Sequence, residues 1–281
     1  MGVHELRPRR PRTAFVLGGG GNLGAVQIGM LKALLERDIT PDVIVGCSVG
    51  AVNGAALALK PDLDGVRAME VAWRDPDTWT VFGGRMTPLA LFRKASSMVS
   101  NDKLRSVLEA WLGPDCRFED LGIPLHVVAT SLRTGAERWL SKGPAIPAVL
   151  ASAALPAILP PVVIDGDPLI DGGVVDNVPV AKAASLGADR IVVLHVGNLD
   201  KPRPVPKRPI DVLLQAFSIA RNHRFAADIA AHTDDAELVV LPGVDPGSLK
   251  RNDFTRSAEL ITRAHAAAAA HLDRIALAAG A

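Results

Sequence analysis

Residues 41–50 read PDVIVGCSVG, and residues 51–59 continue AVNGAALAL. The apolar run Val43–Val45 has the length and β-branched content of a buried strand, and Val49–Leu59 has the length and composition of a helix. Between them stands Ser48, with Gly46 two residues before it and Gly50 two residues after. A serine hydroxyl is a weak nucleophile unless it is exposed, oriented and next to a base. A sharp strand-to-helix turn exposes it, and the strain of that turn demands small residues at those two flanking places. The same turn sets Ser48 at a helix N-terminus, where N–H groups and partial positive charge favour a developing oxyanion. The plainer reading is an N-cap serine in a chain rich in Gly and Ala.

Upstream, Thr13–Leu17 reads as a strand, Gly18–Gly21 breaks it, and Ala25–Arg37 repeats Val26, Met30 and Leu34 at helical spacing. Downstream, Leu125–Thr130, Arg190–Val196 and Glu237–Leu241 read as buried strands, and Ser257–Leu277 as an Ala-rich helix. Asn177 has the chemistry of an N-cap, Pro179 of a first helical turn and Gly187 of a C-terminal stop. This alternation predicts an α/β fold, a mostly parallel sheet with helices on both faces. No linker interrupts it, so residues 13–281 are expected to form one domain after a disordered basic tail over 1–12. Residues 76–100 mix apolar side chains with glycines and Pro88, and are a candidate acyl-binding or lid segment or a piece of core. Residues 201–209, KPRPVPKRP, read as an extended loop.

The bulk numbers exclude several function classes. Thirty-one Lys+Arg against 30 Asp+Glu leave a net charge of +1, which gives no reason to expect a nucleic-acid partner. Aromatic residues are 4% and tyrosine is absent, which argues against base-stacking platforms. The two cysteines, Cys47 and Cys116, imply neither a disulfide framework nor a metal pair. No secretory signal and no apolar run long enough to span a bilayer is visible. The expected location is therefore cytoplasmic. Peripheral membrane contact is an open option, for which the basic tail alone is too weak an anchor.

GGGGNLG at 18–24 contains GxGxxG, with Gly19, Gly21 and Gly24 in register after a strand and before a helix. That context suits a dinucleotide site, which also calls for an acid at the end of the second strand. Asp42 lies at the start of that strand, and Gly46-Cys47-Ser48 occupy its end. Glycines serving turns and close packing alone are a third reading. Both turns end strands of one parallel sheet and so belong on its carboxyl edge, where α/β sheets place ligands. Cys47, next to the serine, reads as a small buried hydrophobe.

Two bases are available to the serine. Of the candidate histidines His195, His223, His232, His265 and His271, the one in an apolar strand is His195. A histidine-based α/β-hydrolase, however, has several strands before its serine turn, and here there is one. Residues 165–177, DGDPLIDGGVVDN, offer Asp171 followed by Gly172 and Gly173. The spacing of Asp165, Asp167, Asp171 and Asp176 lacks the alternating ligands and closing glutamate of a calcium loop, so no metal is expected.

Taken together, GGGGNLG, GCSVG and DGG, in that order, resemble the patatin-like phospholipase family. ASAALPAILPPV at 151–162 and DGGVVDNVPV at 171–180 extend the likeness, which runs from about Ala14 to Val196. The resemblance implies a three-layer α/β/α fold and hydrolysis of acyl esters in phospholipids or neutral lipids, without cofactor or metal. It implies Ser48 as nucleophile, Asp171 as base, no histidine, and Gly19, Gly20 and Gly21 in an oxyanion loop. Gly24, Gly46, Gly50, Gly172 and Gly173 are the remaining motif glycines. One departure stands out: the family often carries Arg or Lys where this chain has Leu23. That leaves a non-catalytic lipid-binding protein on the same scaffold as an alternative, beside the dinucleotide reading and an α/β-hydrolase using His195. Oligomeric state leaves no signal in the sequence.

Overall fold

The computed structural model describes residues 10–75, 97, 99–196, 205–206, 209–232, 236–245, 247 and 253–279. The lid or acyl-binding segment lies outside these over 76–96 and 98, as do residues 1–9 of the tail and most of the loop over 201–209.

Strand β1 (Thr13–Leu17) is buried on both faces. Phe15 and Leu17 enter one apolar cluster with residues of α1 (Gly24–Leu35), α2 (Val49–Leu59), α3 (Leu63–Arg74), α4 (Asp102–Leu112), α5 (Ala145–Ser152) and α8 (Ser257–Ala279). Ala14 and Val16 enter another with α6 (Val180–Ser185) and α7 (Pro209–Ala231). Successive side chains of a strand point to opposite faces, so this division is the three-layer α/β/α architecture itself. Helix α1 is apolar nearly all round because it lies between the sheet and α8.

The remaining strands are β2 (Val43–Cys47), β3 (Leu125–Ser131), β4 (Glu137–Leu140), β5 (Val162–Ile164), β6 (Asp167–Asp171), β7 (Arg190–Leu194) and β8 (Glu237–Val240). Strands β3, β2, β1, β7 and β8 run parallel, and β4, β6 and β5 add antiparallel pairings. Val127 and Val128 pair with both β2 and β4, while Ala129 and Thr130 pair with both β4 and β6. A strand has two edges, so β2 and β6 share one edge of β3, end to end. Strand β2 stops at Cys47 opposite Val128, and β6, descending from the other direction, stops at Asp171 opposite Ala129. The residue after β2 is Ser48. The two strand ends therefore abut at the carboxyl edge of the sheet.

Three expectations change. The basic tail does not reach residue 12: Arg12 N–H donates to Asp189 and its guanidinium to Leu186 O, while Arg10 pairs with Asp42. Asn177 caps no helix, since α6 begins three residues later with Pro179 at its N-cap. Pro209, read as the end of a loop, opens the 23-residue helix α7. Gly187 does end α6 with positive φ, as a C-terminal stop should. Among the described residues no helix is long and apolar enough to cross a membrane.

Candidate active site

Ser48 occupies the β2–α2 turn with φ 55° and ψ −124°, a backbone conformation that L-residues rarely adopt. The turn closes only because Gly50 has no side chain: a Cβ there would lie 2.0 Å from Leu17 O. Ser48 makes no side-chain cap on α2. Its Oγ instead donates to Asp171 Oδ2 at 2.6 Å, and its backbone N–H donates to the buried Ser152 Oγ at 3.0 Å. The N-cap reading of this serine thus gives way to a serine–carboxylate pair.

Asp171 is fully buried. Its Oδ1 accepts from Gly173 N–H at 2.7 Å and lies 3.8 Å from Arg221 Nη2. Its backbone is fixed on both sides, N–H to Ala154 O and C=O from Thr130 Oγ1, each at 2.9 Å. Burial pushes the carboxyl above its ordinary range, opposed by the Arg221 charge and by the hydrogen bonds from Ser48 and Gly173. The carboxylate is thereby a stronger base than one in water.

The glycine loop runs beside this pair, and a Cβ on Gly19 would lie 3.0 Å from Ser48 Cβ. Gly19 N–H already donates to Asn177 O at 3.0 Å, and Asn177 Nδ2 donates back to Gly19 O at 3.2 Å. Among the described residues, Gly20 and Gly21 N–H have no such acceptor. This narrows the expected oxyanion loop of Gly19, Gly20 and Gly21 to its last two members as available donors. Gly21 adopts φ 59°, which glycine tolerates without strain. Behind the loop lies a buried amide network. Gln27 donates to Gly18 O and Leu194 O, Asn53 donates to Gly24 O and Gln27 Oε1, and Trp73 Nε1 donates to Asn53 Oδ1.

Other sequence candidates fall elsewhere. Asp42 accepts from Thr13 N–H at the amino edge of the sheet, the edge away from the glycine turn, so no ribose-binding acid stands beside GxGxxG. His195 is buried and stacks on Phe225 with ring centroids 5.0 Å apart, while the Ser48 hydroxyl is engaged by Asp171. Cys47 is buried, and burial pushes its thiol well up. The four aspartates of 165–176 diverge: Asp165 pairs with Arg138, Asp167 with Ser131 and Asp171 with Ser48, while Asp176 faces Glu137, Arg224 and Asp228. Gly24 packs against Val49 and Trp73, Gly46 against the Gly50–Ala51 backbone and Gly172 against Val128 O.

Sequence reading missed Ser152, Asn177 in its present role, Gln27, Asn53 and Arg221. Buried polar residues inside apolar stretches were the available signal for the first four. Arg221 carried none, since an arginine on a helix is by default solvated.

An α/β/α sheet with a strained serine turn at its carboxyl edge is the architecture shared with VipD from Legionella pneumophila. That crystal structure superposes with a TM-score of 0.51 at 15% identity, over 95% of this chain and 67% of that one, a likeness of fold. In sequence, patatin-like phospholipase domain-containing protein 7 of Rattus norvegicus is 34% identical over 190 residues, 67% of this chain and 14% of the relative. Lysophospholipase nte1 of Aspergillus terreus is 32% identical over 192 residues, 68% of this chain and 12% of the relative. An NTE family protein of Mycobacterium tuberculosis is 34% identical over 189 residues, 67% of this chain and 50% of the relative. The chain thus spans half or less of the length of these curated relatives. The sequence model described as patatin-like phospholipase matches residues 15–184. The chain belongs to the patatin-like phospholipase family.

Proposed function

We propose that this chain is a serine acyl hydrolase that cleaves lipid acyl esters, with Ser48 as nucleophile and Asp171 as base. The observation that carries the reading is the 2.6 Å bond from Ser48 Oγ to Asp171 Oδ2, made by a serine held in a strained turn. Relatives named as a phospholipase domain protein and a lysophospholipase support lipid esters as the substrate class.

Asp171 takes the Ser48 proton as Oγ attacks the ester carbonyl. The N–H groups of Gly20 and Gly21 and of the first turn of α2 hold the tetrahedral oxyanion. Collapse breaks the bond to the leaving alcohol, to which Asp171 returns the proton. Water then attacks the acyl-serine, gives its proton to Asp171 and releases the fatty acid, with the proton passing back to Ser48. No step uses a histidine. The substrate is presented at a membrane or micelle surface, and residues 13–281 act as one unit.

Fluorophosphonate labelling tests the scheme. Wild-type protein is expected to label at Ser48 and to hydrolyse p-nitrophenyl and lysophospholipid esters. Ser48→Ala abolishes labelling, and Ser48→Ala and Asp171→Asn each lower kcat/KM by about 10³-fold or more. Full activity in Ser48→Ala would sink the scheme. Capture of intact lipid with no labelling would point to the non-catalytic lipid binder that Leu23 suggests.

A further inference from the structure

Arg221 lies on α7, beyond residues 15–184 that carry the family match. Its guanidinium is fixed from three sides. Nε donates to Gly173 O at 2.7 Å, the planar group sits 4.3 Å over the Phe217 ring, and Nη2 lies 3.8 Å from Asp171 Oδ1. Nη2 is buried and has no hydrogen-bond partner among the described residues. A buried charged donor left so is costly unless a nearby opposite charge offsets it, and that charge is Asp171. Gly173 makes the approach possible, since a Cβ there would stand 2.7 Å from Nη2.

We propose that Arg221 is a positioning residue for the acyl transfer proposed above, whose guanidinium balances the buried Asp171 charge and turns its Oδ2 toward Ser48. The inference rests on the Ser48–Asp171 reading. The two carboxylate oxygens have separate duties: Oδ2 meets Ser48, while Oδ1 meets Gly173 N–H and faces Arg221. A two-toothed pairing with the guanidinium would occupy Oδ2 as well and compete with the serine. At 3.8 Å on the Oδ1 side, Arg221 supplies charge and leaves Oδ2 free to take a proton. Leu23 adds no charge to the glycine loop, so the cation at this site arrives from α7.

The groups facing Asp171 are Ser48 from the β2–α2 turn, the neutral Cys47 thiol from β2 and Arg221 from α7. The further buried carboxyl, Asp176, faces Glu137, Arg224 and Asp228. Loss of the Arg221 charge leaves burial as the dominant influence on Asp171, so the carboxyl holds its proton to higher pH. The base form is then present only at higher pH, and the acid limb of kcat/KM moves up.

The experiment is the pH profile of kcat/KM from pH 5 to 9, with a short soluble p-nitrophenyl ester, for wild type, Arg221→Gln, Arg221→Lys and Phe217→Leu. Circular dichroism checks the fold of each. Arg221→Gln is expected to move the acid limb up by about 1–3 pH units. Activity at pH 6 then falls about tenfold or more while activity at pH 9 approaches wild type. Arg221→Lys keeps the charge and the wild-type limb. Phe217→Leu, which loosens the guanidinium, shifts the limb in the same direction by less. The proposal is overturned if Arg221→Gln, or Phe217→Leu should the former not fold, keeps the wild-type limb or loses activity equally at every pH. Failure of the underlying dyad reading looks different: wild type remains unlabelled at Ser48, or Ser48→Ala stays active.

Discussion

Ser48 is delivered by a strand, a turn and a helix contiguous in sequence, whereas Asp171 ends a hairpin strand 123 residues later. The first is held by neutral buried amides: Gln27, Asn53 and Trp73 tie α1, α2, α3 and the glycine loop into one block. The second is held by charge: Arg221 faces Asp171, and five residues on Asp176 sits among Glu137, Arg224 and Asp228. The contrast separates two physical tasks. The nucleophile needs a fixed place, which packing and satisfied hydrogen bonds supply at any pH. The base needs a tuned proton affinity, which only burial and neighbouring charge supply.

The sharpest way to break the nucleophile side is Asn53→Ala. It leaves Trp73 N–H and Gln27 Oε1 unpaired in a dry interior and opens a small cavity. The expected loss is about 2–4 kcal/mol in urea unfolding, with the shape of the pH–activity profile unchanged. A changed acid limb in that variant would blur the distinction between the two sides.

On the other side, Asp176 carries a pKa raised to about 7, first by burial and then by Glu137. A carboxyl with a raised folded-state pKa favours the folded state while protonated. Its contribution is present below the ordinary carboxylate range and lost as pH climbs toward 7. Asp176→Asn removes that dependence and is expected to gain about 1–3 kcal/mol at pH 8 relative to pH 5, read from paired unfolding curves. Equal slopes with pH in wild type and variant would show Asp176 ionised throughout.

The smallest effect falls where the two sides touch. Ser152→Ala removes the acceptor of the Ser48 N–H, with an expected loss of about 1 kcal/mol in stability and a drop in kcat of a few-fold. Unchanged stability and kcat would show that the elbow holds itself without this hydroxyl.

How much of this was legible follows the same division. Period and turn chemistry in the sequence revealed β1, the glycine turn, α1, β2 and α2, with the observed spans close to those read from residues 13–59. Glycine and apolar spacing are local signals, and these elements are local. The parallel strands β3, β7 and β8 were also visible as apolar runs. The hairpin of β5 and β6 was not, because its strands are short, partly exposed and interrupted by Pro168. Helix α7 escaped because it begins within a proline-rich stretch and carries charge along its length. Arg221 followed it out of view, since its proximity to Asp171 is tertiary. Asn177 was misread from local chemistry: its amide suits a cap, but the glycine loop it clamps lies 158 residues away.

The end-to-end meeting of β2 and β6 along one flank of β3 makes the serine–carboxylate distance a matter of counting. Insert or delete one residue between 162 and 171 so that the hairpin rung slips, and an isoleucine or a glycine faces the hydroxyl in place of the acid. Both reactive groups would survive unaltered in such a chain, dead for want of alignment. Engineers who graft new loops above this seam should therefore preserve the ladder beneath it before tuning anything the substrate touches.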